Sequence, residues 1–298
     1  MQEPSQRPII FGEVLFDHFP DGSAVLGGAP FNVAWNLHGL GLQPLMVSRV
    51  GEDAEGERIL AAMRDWGMDT AGMQIDPEHP TGAVSITLSG GEPTFSILPD
   101  QAYDFIDATA LPELASGGLL YHGSLALRNV ISRQALDELA ACCGLPRFVD
   151  INLRAPWWER EAARKLVAGA RWAKLNEHEL HQLGEPGIPD ALELAARLQS
   201  ECELELLIVT LGSDGAMARR TDGEIDRVAP KPSSQVVDTV GAGDAFASVV
   251  LVGLLRDWPT ELMLERAQGF ASRVVGLRGA TTMDRSFYET QAAEWGHP

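Results

Sequence analysis

The chain predicts an α/β fold, a mainly parallel β-sheet with helices on its faces, and three observations carry that expectation. Short apolar runs alternate with helical stretches: residues 45–50 before 55–66, 148–151 before 159–170, and 206–210 before the turn at Gly212. Parallel strands need such crossovers. At 298 residues and 45% apolar content, the chain can bury a core between layers. No Ser/Gly-rich linker, low-complexity tract or repeat divides it, so residues 1–298 are expected to form one domain.

Taken in order, the first elements break the alternation. Residues 14–19 and 24–26 flank Asp21-Gly22, and residues 84–88 and 94–98 flank Gly90-Gly91; both are hairpin signals. Strands from about 12–27 and 82–100 are expected to form a small separate sheet. An unsandwiched sheet needs a cover, so it sits over a cleft as a lid or against a second subunit. Two independent surface hairpins are the alternative.

Next comes G-G-A-P-F-N, residues 27–32, leading into a helical run over 33–40. Gly27 and Gly28 permit close backbone approach to a ligand, and Asn32 offers a donor and an acceptor to hydroxyls. The same residues also make a plain helix entry. Asp17, at the end of the preceding apolar strand, reads as a turn residue alone and as a hydroxyl-binding carboxylate in company.

Midway, D-I-N-L-R at 150–154 ends a strand. The carboxyl ends of parallel strands line a ligand crevice, so Asn152 and Arg154 are expected to face it, the arginine suiting a phosphate. In A-K-L-N-E-H-E-L, residues 173–180, Asn176 and Glu179 stand three apart. That spacing is a capping box, or a Mg²⁺ site acting mostly through waters. In V-T-L-G-S-D-G-A, residues 209–216, a strand ends at Thr210, and Gly212 and Gly215 open a turn that suits a nucleotide or simply joins two strands.

The stretch most like an active site is D-T-V-G-A-G-D-A-F, residues 238–246. Gly241 and Gly243 let successive N–H groups converge on an anion. The nearly all-apolar run 245–255 predicts a helix buried on all sides, whose N-terminus favours phosphate. Asp244 is expected to be held ionised by that dipole and to accept a hydroxyl proton while the N–H groups stabilise a transferred phosphoryl group. A simple cap after a tight turn is the bland alternative.

Composition and missing motifs narrow the field. With 23 basic and 42 acidic residues, a net charge of −19, nucleic acid and anionic membrane are not expected as main partners. Three cysteines without CxxC spacing point to a reducing compartment. No signal-like N-terminus or apolar run of ~18 residues is seen, so a cytoplasmic protein is expected. GxxxxGK[ST], GxGxxG and G-x-S-x-G are all absent, which disfavours P-loop, dinucleotide-binding and α/β-hydrolase classes. His178, His181 and Glu177 lack the further ligands of a zinc site.

G-G-A-P-F-N-V-A and D-T-V-G-A-G-D-A-F, with D-x-N-x-R, N-x-x-E and T-x-G-x-x-G between them in order, resemble the signatures of the PfkB or ribokinase-like carbohydrate kinases. The resemblance implies a Rossmann-like three-layer αβα core, a β lid over the sugar, and transfer of the γ-phosphoryl of ATP to a sugar alcohol. It implies Asp244 as catalytic base and Gly241, Ala242 and Gly243 as the anion hole. Asp17, Gly27, Gly28 and Asn32 would hold the sugar, and Arg154 would contact the phosphates. Asn176 and Glu179 would organise Mg²⁺, and Thr210, Gly212 and Gly215 would flank the nucleotide. A K⁺ site would involve Asp238 and carbonyls near Val240, Leu277 and Gly279. G-G-A-P resembles the fructokinase branch. Other acceptors (ribose, 2-keto-3-deoxygluconate, tagatose 6-phosphate, adenosine) and a catalytically silent sugar-binding regulator are the alternatives. A homodimer through the lid would cover the exposed hairpins.

Overall fold

The computed structural model describes residues 7–89, 92–112, 118–230 and 236–296. In chain order it runs β1 (Ile9–Phe11), β2 (Leu15–His18), β3 (Ala24–Gly27), α1 (Ala29–Gly39), β4 (Leu45–Gly51), α2 (Ala54–Trp66) and β5 (Met73–Asp76). Then follow β6 (Gly82–Ser89), β7 (Glu92–Ile97), β8 (Leu120–His122), α3 (Val130–Cys143), β9 (Arg147–Asp150), α4 (Arg160–Ala168) and β10 (Trp172–Asn176). The rest is α5 (Glu177–Leu183), α6 (Ala191–Glu201), β11 (Leu206–Thr210), β12 (Ala216–Arg220), β13 (Ile225–Val228), α7 (Ala242–Leu255), α8 (Thr260–Val274) and α9 (Arg285–Glu294).

Nine strands form one sheet in the order β13-β12-β11-β10-β9-β8-β1-β4-β5. From β5 to β11 every pairing is parallel, and β12 and β13 extend one edge antiparallel. The chain starts at β1, moves outward to β4 and β5, and returns to β8 on the other side of β1. That reversal opens a crevice at the carboxyl ends of the central strands.

Alternate residues of each strand point to opposite faces. Ile10, Phe148 and Ile208 pack beneath α1, α7 and α8, while Val149, Leu207 and Val209 pack against α4, α5 and α6. A third cluster seats α3 against Ile9, Phe11 and Leu120. The helix expected over 245–255 is buried from Ala245 to Gly253 but begins earlier, at Ala242.

The two expected hairpins are not independent. Parallel pairing of β2 with β6 joins them into a four-stranded sheet, β3-β2-β6-β7. One side covers Tyr103, Leu125 and Ala126 through Leu15, Val84 and Ile86. Farther out on that same face, Val25 (paired with Asp17) and Phe95 (paired with Ile86) are 45% and 57% exposed. The Gly90-Gly91 turn lies outside the described residues.

Candidate active site

At the carboxyl ends of β1, β9 and β10 the chain gathers the groups the sequence singled out. The turn before α7 is fixed by Gly241, at φ 79°, where a β-carbon would lie 2.2 Å from that of Ala280. Only glycine fits both constraints. Gly243 is different from expectation: it sits inside the first helical turn, and a β-carbon there would meet only Lys174 Nζ at an ordinary 3.6 Å. No protein neighbour demands that glycine, and of the turn's N–H groups that of Ala242 donates to Thr239 O at 3.4 Å.

Asp244 follows in the same turn, and its Oδ2 accepts a hydrogen bond of 2.8 Å from Asn32 Nδ2. Burial pushes its carboxyl up to about 6, against the Asn32 hydrogen bond, with Asp150 raising it further and Lys174 and Arg154 lowering it. The helix N-terminus does not keep it in the usual aspartate range, although it is still ionised at neutral pH. Desolvation outweighs the favourable contacts, and the group ionises just below neutrality.

Asn32 lies on α1, which opens at Gly28 (φ 107°) with Pro30 in its first turn. A β-carbon at Gly28 would stand 2.7 Å from the Glu13 carbonyl oxygen, so the glycine lets α1 close against β1. Asn32 Oδ1 is buried without a partner. Asp17, on β2, faces Gly27, whose β-carbon would lie 3.4 Å from Oδ2. Burial raises the Asp17 carboxyl, opposed by Arg154 and His18. Arg154 follows Asn152, which takes a left-handed φ of 43°. Its guanidinium acts on Asp17, Glu13 and Asp244 together.

The other expected residues lie further along the same sheet edge. Asn176 caps α5: its side chain accepts from Glu179 N at 2.9 Å, and Glu179 Oε2 accepts from Asn176 N at 2.8 Å. Glu179 Oε1 accepts from Leu153 N at 2.9 Å. Thr210 is paired in register with Asn176 at the ends of β10 and β11. Gly212 and Gly215 do join two strands, β11 and β12, and a β-carbon at Gly215 would meet the Val228 carbonyl oxygen at 2.0 Å. Asp238 ties two loops together, accepting from Val240 N at 3.0 Å and Gly279 N at 3.2 Å. Among the described residues no group of three His, Cys, Asp or Glu side chains is placed to hold a metal.

Two features escaped the sequence reading. Lys174 and Asp150 are register partners on β10 and β9, and both Asp150 oxygens accept from Lys174 Nζ at 2.8 and 2.9 Å. Burial alone would lower the pKa of that ammonium, but Asp150 more than offsets it, so the charge stays beneath Gly243. A lysine inside the apolar strand W-A-K-L was the available signal. The second is Glu13, 3% exposed, two residues after the end of β1; its signal was a carboxylate just past a buried strand.

An αβα sheet with a glycine turn opening a buried helix, and a buried aspartate bonded to an amide across it, fits a phosphotransferase acting on an alcohol. The chain belongs to the pfkB family carbohydrate kinases, whose family model matches residues 9–286, and it is an ATP-dependent carbohydrate kinase. It is 33% identical over 260 residues to a fructokinase of Klebsiella pneumoniae, covering 82% of this chain and 83% of that one. It is 31% identical over 303 residues to fructokinase-1 of Oryza sativa, covering 93% and 92%. Among solved structures it superposes on a Vibrio cholerae fructokinase double mutant bound to fructose, ADP and potassium ion. That match has a TM-score of 0.81 and 27% identity, and covers 97% of this chain and 99% of that one.

Proposed function

We propose that the protein transfers the γ-phosphoryl group of ATP to a hydroxyl of fructose, with Asp244 as general base. The observation that supports this best is the pairing of Asp244 with Asn32, whose Oδ1 is left buried and unpartnered. A carboxylate that ionises near 6 is mostly charged at neutral pH and still basic enough to accept a hydroxyl proton.

As the fructose oxygen bonds to the γ-phosphorus, its proton passes to Asp244 and the bond to the β-phosphate oxygen breaks, releasing ADP. The N–H groups of Gly241, Ala242 and Gly243 face the charge that builds on the transferred group. Asp17, Gly27, Gly28 and Asn32 orient the acceptor, and Arg154 neutralises phosphate charge. Thr210, Gly212 and Gly215 border the nucleotide. Mg²⁺ supplies charge neutralisation when it arrives with ATP. Both Glu179 oxygens already accept N–H groups, so Glu179 fits as an orienter of Asn176 and its waters rather than as a direct ligand. Asp238 and the loops it joins are the place for K⁺.

The small sheet serves as the lid that excludes water from the transfer. A second copy of the chain covers the exposed outer part of that sheet at Val25 and Phe95, and Phe95→Glu is expected to give a monomeric mass by light scattering. The deciding assay is ADP release with fructose, ribose, 2-keto-3-deoxygluconate, tagatose 6-phosphate and adenosine offered in turn. Fructose is expected to give the highest kcat/KM. A higher value for another acceptor replaces fructose, and no turnover with any of them, despite sugar binding by calorimetry, replaces the enzyme with a sugar-binding regulator.

A further inference from the structure

Among the described residues the buried carboxylates are, with one exception, fully engaged. Asp76 accepts from the backbone of Glu78 and His79, bonds to the His79 ring, and forms an ion pair with Arg49. Asp104 takes two bonds from Arg128 and one from Gln101 N, Asp150 holds Lys174, and Glu179 closes two backbone N–H groups. Glu13 is as buried as these, at 3% exposure, yet its Oε2 has no partner. A buried polar atom left unmatched is costly and calls for an explanation.

Its position supplies one. Gly12 and Glu13 leave β1 at the crevice, beside the reversal of strand order. The Glu13 backbone is what Gly28 packs against, and Asn32 N bonds to Gly28 O at 2.8 Å. Glu13 is therefore held rigidly alongside the groups that face the acceptor. We propose that Glu13 is a further acceptor-positioning residue of this kinase, its uncommitted carboxyl oxygen completing the set that Asp17, Asn32 and Asp244 present to the sugar hydroxyls. The inference rests on the kinase reading and deepens it.

The carboxyl acts in its neutral form, as a donor to a hydroxyl oxygen. Burial pushes it up to about 7, with the Glu13 and Ala126 N–H groups and Arg154 opposing and Asp244 adding to the rise. Tyr103 and Arg128 face it from the turns at 102–105 and 125–128, and Tyr121 from β8. Asp17 and Asp244 already supply acceptors at this end of the crevice. A protonated third acid adds the missing donor without a third negative charge.

The experiment uses the full chain and its best acceptor from the ADP-release assay, with Glu13→Ala and Glu13→Gln compared with wild type between pH 5.5 and 8.5. Glu13→Ala is expected to raise the acceptor KM by about tenfold or more, with the KM for ATP changed by less than about twofold. In wild type the acceptor KM is expected to rise as pH passes about 7, and Glu13→Gln, a permanent neutral donor, is expected to keep near-wild-type KM and lose that rise. An acceptor KM unchanged in a folded Glu13→Ala variant overturns the proposal. If Glu13→Ala does not fold, the pH dependence of Glu13→Gln decides, and a rise identical to wild type overturns it. Failure of the kinase reading is separate, since it shows as turnover surviving Asp244→Ala or as no turnover with any acceptor.

Discussion

Two helices begin at the crevice with an acid in the first turn, and they use it in opposite ways. At α5 the acid closes on its own helix: Glu179 accepts from Asn176 N and Leu153 N, and Asn176 accepts from Glu179 N. At α7 no side chain caps the helix, and Asp244 reaches across to Asn32 on α1. The first arrangement satisfies itself and needs nothing more. The second leaves N–H groups, a carboxylate and an amide oxygen in search of partners, which is what a ligand site requires.

The sharpest break of this contrast is Asp244→Ala. Turnover is expected to fall by about 10²–10⁴-fold while ADP binding by calorimetry stays near wild type; retained turnover would dissolve the distinction. Glu179→Ala is expected to fail differently, through stability. It orphans two backbone N–H groups and should cost about 2–4 kcal/mol by urea unfolding, with a smaller loss of turnover than at Asp244. Equal stability would mean that the capping bonds carry little.

Gly241→Ala sharpens the comparison from the backbone side. A β-carbon at φ 79° and 2.2 Å from Ala280 should cost about 1–3 kcal/mol and lower kcat more than it changes the KM for the acceptor. The pH dependence is the next test. Because Asp244 ionises near 6, kcat is expected to fall about tenfold per unit below that pH. Asn32→Ala removes a hydrogen bond that favours the ionised form, so the acidic limb should move upward. The smallest effect concerns stability. Glu13 holds its proton to about 7 in the fold against a usual 4.5, so the folded state binds more protons than the unfolded chain across that window. Stability from this group is present at low pH and lost as pH rises through it, and Glu13→Gln should flatten the melting temperature against pH.

The same contrast explains what was readable in advance. Both first-turn acids were visible in the sequence with two readings each, cap or site, and nothing local separated them. Asn176 and Glu179 proved to form the capping box that their spacing allowed. The second glycine of the α7 turn was expected to carry an unusual backbone, but it is helical, because the chain needs only Gly241 to turn. Asp150 stood inside a noted motif, yet its partner Lys174 reaches it only through the β9–β10 register.

The sequence by itself determined the alternation of strand and helix, the all-round apolar α7 and the glycine turns, because those follow from local periodicity and backbone freedom. Only the tertiary structure decided that the two hairpins share one sheet through β2 and β6, that Lys174 sits charged beneath Gly243, and that Glu13 is buried with an oxygen unmatched. Those facts depend on which strands become neighbours and on how much water burial removes. Neither quantity is stored in a residue's neighbours along the chain.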